Sequence, residues 1–143
     1  MGYKHPVSVL VVIFARDTGR VLMLQRRDDP CFWQSVTGSL EPGESPAQAA
    51  AREVAEELAI DICAEGLRLD DCQRQIEFEI FPHFRHRYAP EVTHNREHWF
   101  RLALPAERMP LLSEHLAARW LMPEEAAALT KSWSNRQAIE EFI

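Results

Sequence analysis

The chain predicts an α/β domain, because β-branched runs and a strictly alternating segment share it with capped, amphipathic helices. Residues 7–15 and 21–24 are apolar and rich in β-branched side chains on either side of Arg16-Asp-Thr-Gly19-Arg20. That is a β-hairpin pattern around an Asp/Gly turn. Gln75-Ile-Glu-Phe-Glu-Ile80 alternates apolar with polar, and Ser45, Pro46 and Gln48 supply a helix cap, a first-turn proline and a capping-box partner.

The remaining elements follow in order. A third extended piece over residues 32–37 ends at Gly38, and Leu40-Glu-Pro-Gly43-Glu44 is a loop by its Pro and Gly content. A helix starts at about residue 46, where Ala47, Ala50, Ala51, Val54 and Leu58 form its buried stripe. Glu53, Glu56 and Glu57 fall within an arc of roughly 100° beside that stripe. In the strand over 75–80, Ile76, Phe78 and Ile80 face one way and Glu77 and Glu79 the other. Residues 82–97 are rich in His and Arg and read as a long loop or an interrupted hairpin, with another strand over 98–104. Pro123 opens a short helix through Leu129, with Glu124 and Glu125 in its first turn. Ser134 and Gln137 form a second capping box, and Ala138, Ile139 and Phe142 give the final helix an apolar side.

With 143 residues, 46% hydrophobic and 27% charged, the chain fits one domain spanning 1–143. A net charge of −6 argues against loose binding to nucleic acid, which needs clustered Lys and Arg. The apolar run 7–15 is too short to span a bilayer and lacks a cleavage site for export. Cys31, Cys63 and Cys72 are an odd number with no metal-ligand spacing, which suits reduced thiols in a cytoplasmic protein.

Three carboxylates within five residues of one helix need a cation. Like charges three or four positions apart destabilise a helix by roughly 0.2–0.5 kcal/mol per pair, and a bound divalent ion reverses that sign. Their setting is Gly38-x5-Glu44-x7-Arg52-Glu53-Val54-x-Glu56-Glu57-x-Ala59-Ile60. Six fixed polar or Gly positions at these intervals arise by chance in such a chain on the order of once in 10⁵. The segment 38–60 resembles the signature of the Nudix hydrolases, departing at Ala59, where that family usually has Gly. The resemblance implies an α/β/α sandwich with a mixed sheet and Mg²⁺-dependent hydrolysis of a phosphoanhydride, with Mn²⁺ an alternative ion. Glu53 and Glu57, one turn apart, are the first choice for metal ligands. Arg52 is placed to hold Glu56, and the family pattern puts Glu44 in a loop facing the helix. Glu114, in Leu112-Ser-Glu-His115, is the best placed acid of the second half and is assigned to the site as general base or metal ligand.

Outside that segment, Asp28-Asp-Pro-x-Phe-Trp-Gln-Ser-Val-Thr-Gly38, Glu77-Phe-Glu-Ile80-Phe81, Arg85-His-Arg-Tyr-Ala-Pro90 and Lys131-Ser-Trp-Ser-Asn-Arg-Gln-Ala-Ile139 are similar to the bacterial Nudix branch that acts on 7,8-dihydroneopterin triphosphate. That likeness implies release of pyrophosphate to leave the monophosphate, an early step of folate synthesis. It implies substrate contacts at Lys4, Arg26, Thr37, Phe78, Glu79, Ile80, Phe81 and Ser132, and metal at Glu53, Glu57 and Glu114. Lys4 and Arg26 suit phosphate oxygens, and Phe78 and Phe81 suit a flat pterin. Arg85 and Arg87 are weaker candidates for a distal phosphate. His83, His86, His94 and His98 match no convergent ligand set and are read as solvent-facing. The partner is a small triphosphate, and the chain is expected to be a monomer or weak homodimer. Two other readings remain: a pyrophosphohydrolase for dATP-like nucleotides, since purine and pterin present similar edges, and a noncatalytic nucleotide-sensing module. The second would be marked by loss of a signature glutamate, and none is lost here.

Overall fold

In the computed structural model, which describes residues 2–143, the elements run β1 (Val7–Ala15), β2 (Val21–Arg26), β3 (Trp33–Gln34), β4 (Val36–Ser39), α1 (Pro46–Leu58), β5 (Leu69–Glu79), β6 (His94–Leu104), β7 (His115–Leu121), α2 (Pro123–Leu129) and α3 (Trp133–Phe142). β1 is central. It pairs in parallel with β6 and antiparallel with β2 and β4, while β3 and β7 join β2 and β5 joins β6, giving a mixed seven-stranded sheet.

The sheet carries helices on both faces, and the sequence of β1 shows why. Val9, Val11 and Ile13 pack with Ala50, Val54 and Leu58 of α1, while Leu10 and Val12 pack with Trp99, Ala126, Ala138 and Ile139 toward α2 and α3. A strand covered on both faces reads as a continuous apolar run rather than an alternation. The expected α/β/α sandwich with a mixed sheet is the observed one. No helix among the described residues is long and apolar enough to cross a membrane.

Four local readings change. The single extended piece over 32–37 is two strands, because the chain bends at Ser35. There the Ser35 N–H donates to Asn135 Oδ1 at 2.8 Å, and Asn135 Nδ2 donates back to Ser35 Oγ at 3.0 Å. β5 starts at Leu69, ahead of an irregularity between Asp71 and Gln75 where Gln73 takes φ 54°. β6 begins at His94, four residues earlier than its apolar pattern, because antiparallel pairing with β5 extends to Glu79↔His94 and parallel pairing with β1 to Val7↔Arg96. The stretch before it holds a 3₁₀ turn over Pro82–Arg87.

Helix ends follow cap chemistry. Gln48 N–H donates to Ser45 Oγ at 3.2 Å and Ser45 N–H to Gln48 Oε1 at 2.9 Å, the expected capping box of α1. Ala59 closes the same helix in the left-handed region, with φ 57°. The cap of α3 is Ser132, not Ser134: Ser132 Oγ accepts from the Asn135 N–H at 3.2 Å, and Ser134 is buried. Asn135 occupies the position where a capping box has Glu or Gln, so the true cap carried no such signature.

Candidate active site

Arg52 organises the acidic helix. Its Nε and Nη2 donate to the two oxygens of Glu44 at 2.7 and 2.8 Å, Nη1 donates to Glu53 and Glu56 at 3.0 and 2.8 Å, and Nη2 also donates to the Ser39 carbonyl at 3.0 Å. One guanidinium therefore ties the loop after β4 to α1, as a planar fork with five donors can. Hydrogen bonding to Arg52 holds the Glu44 carboxyl below its usual range.

Glu53 and Glu57 lie on the buried side of α1, at 9% and 1% exposure, whereas Glu56 is exposed against Arg52. The arc of acids is thus split by the packing. Glu114, from the turn entering β7, joins the buried pair, and one oxygen from each of Glu53, Glu57 and Glu114 lies within 4.8 Å of the others. Burial, and then the neighbouring Glu53, push the Glu57 carboxyl far up, while burial raises Glu53. Glu57 Oε1 is buried with no hydrogen-bond partner. His115 Nε2 stands 3.7 Å from that oxygen, but burial lowers its pKa to about 4, so it supplies no countercharge near neutrality. Three hard oxygen donors and an orphaned buried oxygen fit a divalent cation of the Mg²⁺ class.

Gly38 makes the cluster compact. A Cβ on Gly38 would lie 1.9 Å from Glu53 Oε2, so the glycine serves close approach.

Two cavities meet at this point. The first, of about 330 Å³, opens between the sheet and the N-terminus of α3; the second, of about 360 Å³, contains Glu57 and Glu114. Lys4, Arg26, Gln34, Thr37 and Arg87 line both and form the junction. Arg26 grips Asp28 through two 2.7 Å bonds and also donates to Gln34 at 3.1 Å, and Arg87 bonds the same aspartate. The hydrogen bonds and charge of Arg26 hold Asp28 at about 2. The junction is consequently a cationic band, with Lys4 half-buried and its pKa lowered by burial, then by Arg87 and Arg26. Beyond it Phe32, Phe81 and Phe84 form an edge-to-face cluster with Arg26 4.2 Å above the Phe84 ring.

A model of the NUDIX domain matches residues 4–142. The chain belongs to the NUDIX family. It is 70% identical over 141 residues to the dihydroneopterin triphosphate diphosphatase of Escherichia coli K12, covering 99% of this chain and 94% of that one. The Haemophilus influenzae protein of the same name is 52% identical over 143 residues, covering 100% and 90%. The solved structure of the E. coli dihydroneopterin triphosphate pyrophosphohydrolase superposes with a TM-score of 0.98 at 68% identity, covering 100% of this chain and 98% of that one.

In this Nudix fold every residue assigned to substrate from the sequence lines the first cavity: Lys4, Arg26, Thr37, Phe78, Glu79, Ile80, Phe81 and Ser132. Arg87 joins them and Arg85 does not. His83, His86 and His94 are exposed and His98 is half-buried. Sequence reasoning passed over Phe32, Gln34, Phe84, Tyr88, Asn95 and Glu97, which also line the cavity. Asn95 and Glu97 sat in the polar stretch read as loop, and only the β1–β6 register brings them beside Ser8.

Proposed function

We propose that this Nudix hydrolase removes pyrophosphate from 7,8-dihydroneopterin triphosphate, leaving the monophosphate, in a Mg²⁺-dependent reaction. The observation that carries this reading is the continuity of the two cavities. An aromatic chamber and a three-carboxylate cluster meet at a band of Lys4, Arg26 and Arg87, so one molecule with a flat ring and a triphosphate tail spans both. The names of its relatives in E. coli and H. influenzae support the pterin as that ring. Retention of all four signature glutamates supports catalysis over a noncatalytic sensing role.

Glu53, Glu57 and Glu114 would hold the ion, which supplies charge neutralisation at the phosphate oxygens and acidifies the attacking water. Placing Glu114 within the carboxylate cluster favours ligation over free general-base action. Arg52 fixes Glu53 and carries Glu44 and Glu56 as its own partners. Lys4, Arg26 and Arg87 neutralise phosphate charge at the junction, with Asp28 releasing part of its hold on Arg26 and Arg87 as phosphate binds. Thr37 offers a hydroxyl there, already paired with Gln34 at 3.3 Å. Phe81, with Phe32 and Phe84, offers ring edges and faces to the pterin. Three free cysteines are consistent with a reducing cytoplasmic setting.

The test is a product assay on 7,8-dihydroneopterin triphosphate with Mg²⁺ or Mn²⁺, repeated with dATP and with Glu57→Gln. Pyrophosphate and pterin monophosphate should appear in equal amounts, and kcat should fall by about 10²-fold or more in the variant. A higher kcat/KM for dATP than for the pterin would defeat the substrate, and an unimpaired Glu57→Gln would defeat the metal site.

A further inference from the structure

The floor of the aromatic chamber is polar where a packed sheet face is ordinarily apolar. Ser8, Asn95 and Glu97 stand side by side on β1 and β6, beyond the cationic junction and on the face covered by α3. Asn95 is 2% exposed and Glu97 4%, and both line the chamber. Asn95 Nδ2 donates to Ser8 Oγ at 2.6 Å, which orients the amide and leaves Asn95 Oδ1 buried without a partner. Trp99 Nε1 donates to Glu97 Oε1 at 3.0 Å, and the Ser134 hydroxyl holds the same carboxyl. A carboxylate has about four lone-pair positions, so capacity remains after those two bonds. What the floor leaves unfilled is hydrogen-bond acceptance.

We infer that Glu97 and Asn95 form a specificity-determining acceptor pair that binds an exocyclic amino group, with its adjacent ring N–H, at the end of the substrate ring farthest from the triphosphate. This deepens the pyrophosphohydrolase reading and rests on it. With the phosphates at the carboxylate cluster, the ring edge that reaches the floor is the one opposite the tail. In a 2-amino-4-oxopterin substituted at C6, that edge carries the 2-amino group and N3–H, two parallel donors that a carboxylate accepts as it accepts the arginine fork. Adenine turns its 6-amino group to the same place, but with a ring acceptor beside it. Guanine keeps the 2-amino group and adjacent ring N–H of the pterin on that edge, so the acceptor mismatch falls on adenine. Two acceptors forced together in a buried site leave both unpaired, and such mismatches discriminate more strongly than size does. The floor therefore ranks pterin above adenine. Burial pushes the Glu97 carboxyl up to about 7, and two additional N–H donors favour its ionised form.

The experiment measures kcat/KM of the full-length enzyme and of Glu97→Gln on 7,8-dihydroneopterin triphosphate and dATP. Glutamine keeps a carbonyl for Trp99 and turns an N–H toward the ring. The variant should lose at least tenfold on the pterin, chiefly through KM, while dATP holds level or improves. Equal proportional losses on the pterin and dATP, or none on the pterin, would overturn the pair. Asn95→Ala should lose threefold to tenfold on the pterin and dATP; an unchanged kcat/KM on the pterin overturns its share. Calorimetric titration of free 7,8-dihydroneopterin in EDTA reads the same contact without hydrolysis and should weaken at least tenfold in Glu97→Gln. An enzyme that binds free 7,8-dihydroneopterin, with the loss expected in Glu97→Gln, yet does not hydrolyse the pterin triphosphate would instead remove the proposed substrate and leave the acceptor pair standing.

Discussion

Glu97 should make this enzyme less stable as the solution becomes more alkaline, and replacing it with Gln should remove that loss. The carboxyl is buried, and burial raises it from 4.5 to about 7 against the opposing hydrogen bonds from Ser134 and Trp99. The folded state therefore binds this proton more tightly than the unfolded chain does. Its contribution is fully present below about pH 4.5 and is lost as pH rises through 7. A shift of that size corresponds to about 3 kcal/mol at pH 8 and to less than about 1 kcal/mol at pH 5. Any fixed cost of fitting the Gln amide is independent of pH, so the difference between wild type and Glu97→Gln isolates the titration. Urea unfolding of both proteins between pH 5 and 8.5 measures it, provided the m-values agree. The variant should gain about 2–3 kcal/mol on the wild type across that range. A difference that stays flat would show that Glu97 is solvated or already neutralised, and the buried acceptor floor would go with it.

Other substitutions probe the catalytic half. Gly38→Ala places a methyl group 1.9 Å from Glu53 Oε2, so the carboxylate must retreat by about 1.5 Å to reach ordinary contact; activity at fixed Mg²⁺ should fall about 10²-fold, with a Mg²⁺ titration showing weakened affinity and urea unfolding showing a small change. Arg52→Lys keeps the charge but cannot span Glu44, Glu53, Glu56 and the Ser39 carbonyl, so kcat should drop about 10–100-fold while KM moves little, and an unaltered kcat would free Arg52 of its organising role. Ala59→Gly relieves a left-handed alanine at φ 57° and should add about 1 kcal/mol, seen as a rise of about 4 °C in Tm with activity unchanged.

How much of this was legible depended on how far apart the cooperating residues lie in the chain. α1, its capping box and the spacing of Glu53 and Glu57 are fixed within one segment, so period and cap chemistry locate them. Burial of those two acids was not legible, because it depends on β4 and on the turn before β7 closing over the helix. Likewise the strand alternation at Ile76 and Phe78 was visible, whereas β6 hid its first four residues as His94-Asn-Arg-Glu97. Those polar side chains carry no strand signal of their own; His94 and Asn95 are held extended by antiparallel pairing with Glu79 and Phe78 of β5, and Arg96 and Glu97 also by parallel pairing with β1 more than eighty positions earlier. Ser132 was concealed for a related reason. Asn135 is committed to Ser35 across the sheet, and that contact starts α3 one residue after Ser132, although Ser134 and Gln137 have the better local pattern.

The division has a chemical consequence. Cutting a phosphoanhydride requires charge and position within a few ångströms, which one helix and its preceding loop can supply. Distinguishing one ring from another requires donors and acceptors at the far end of the same molecule, and here β1 and β6 form that end. Its cost shows in the structure as a carboxyl raised to about 7 and an amide oxygen without a partner. Groups in that condition destabilise a fold unless a ligand satisfies them, so their presence at the floor of a cavity sized for one ring is itself an argument that a ring with matching N–H groups belongs there.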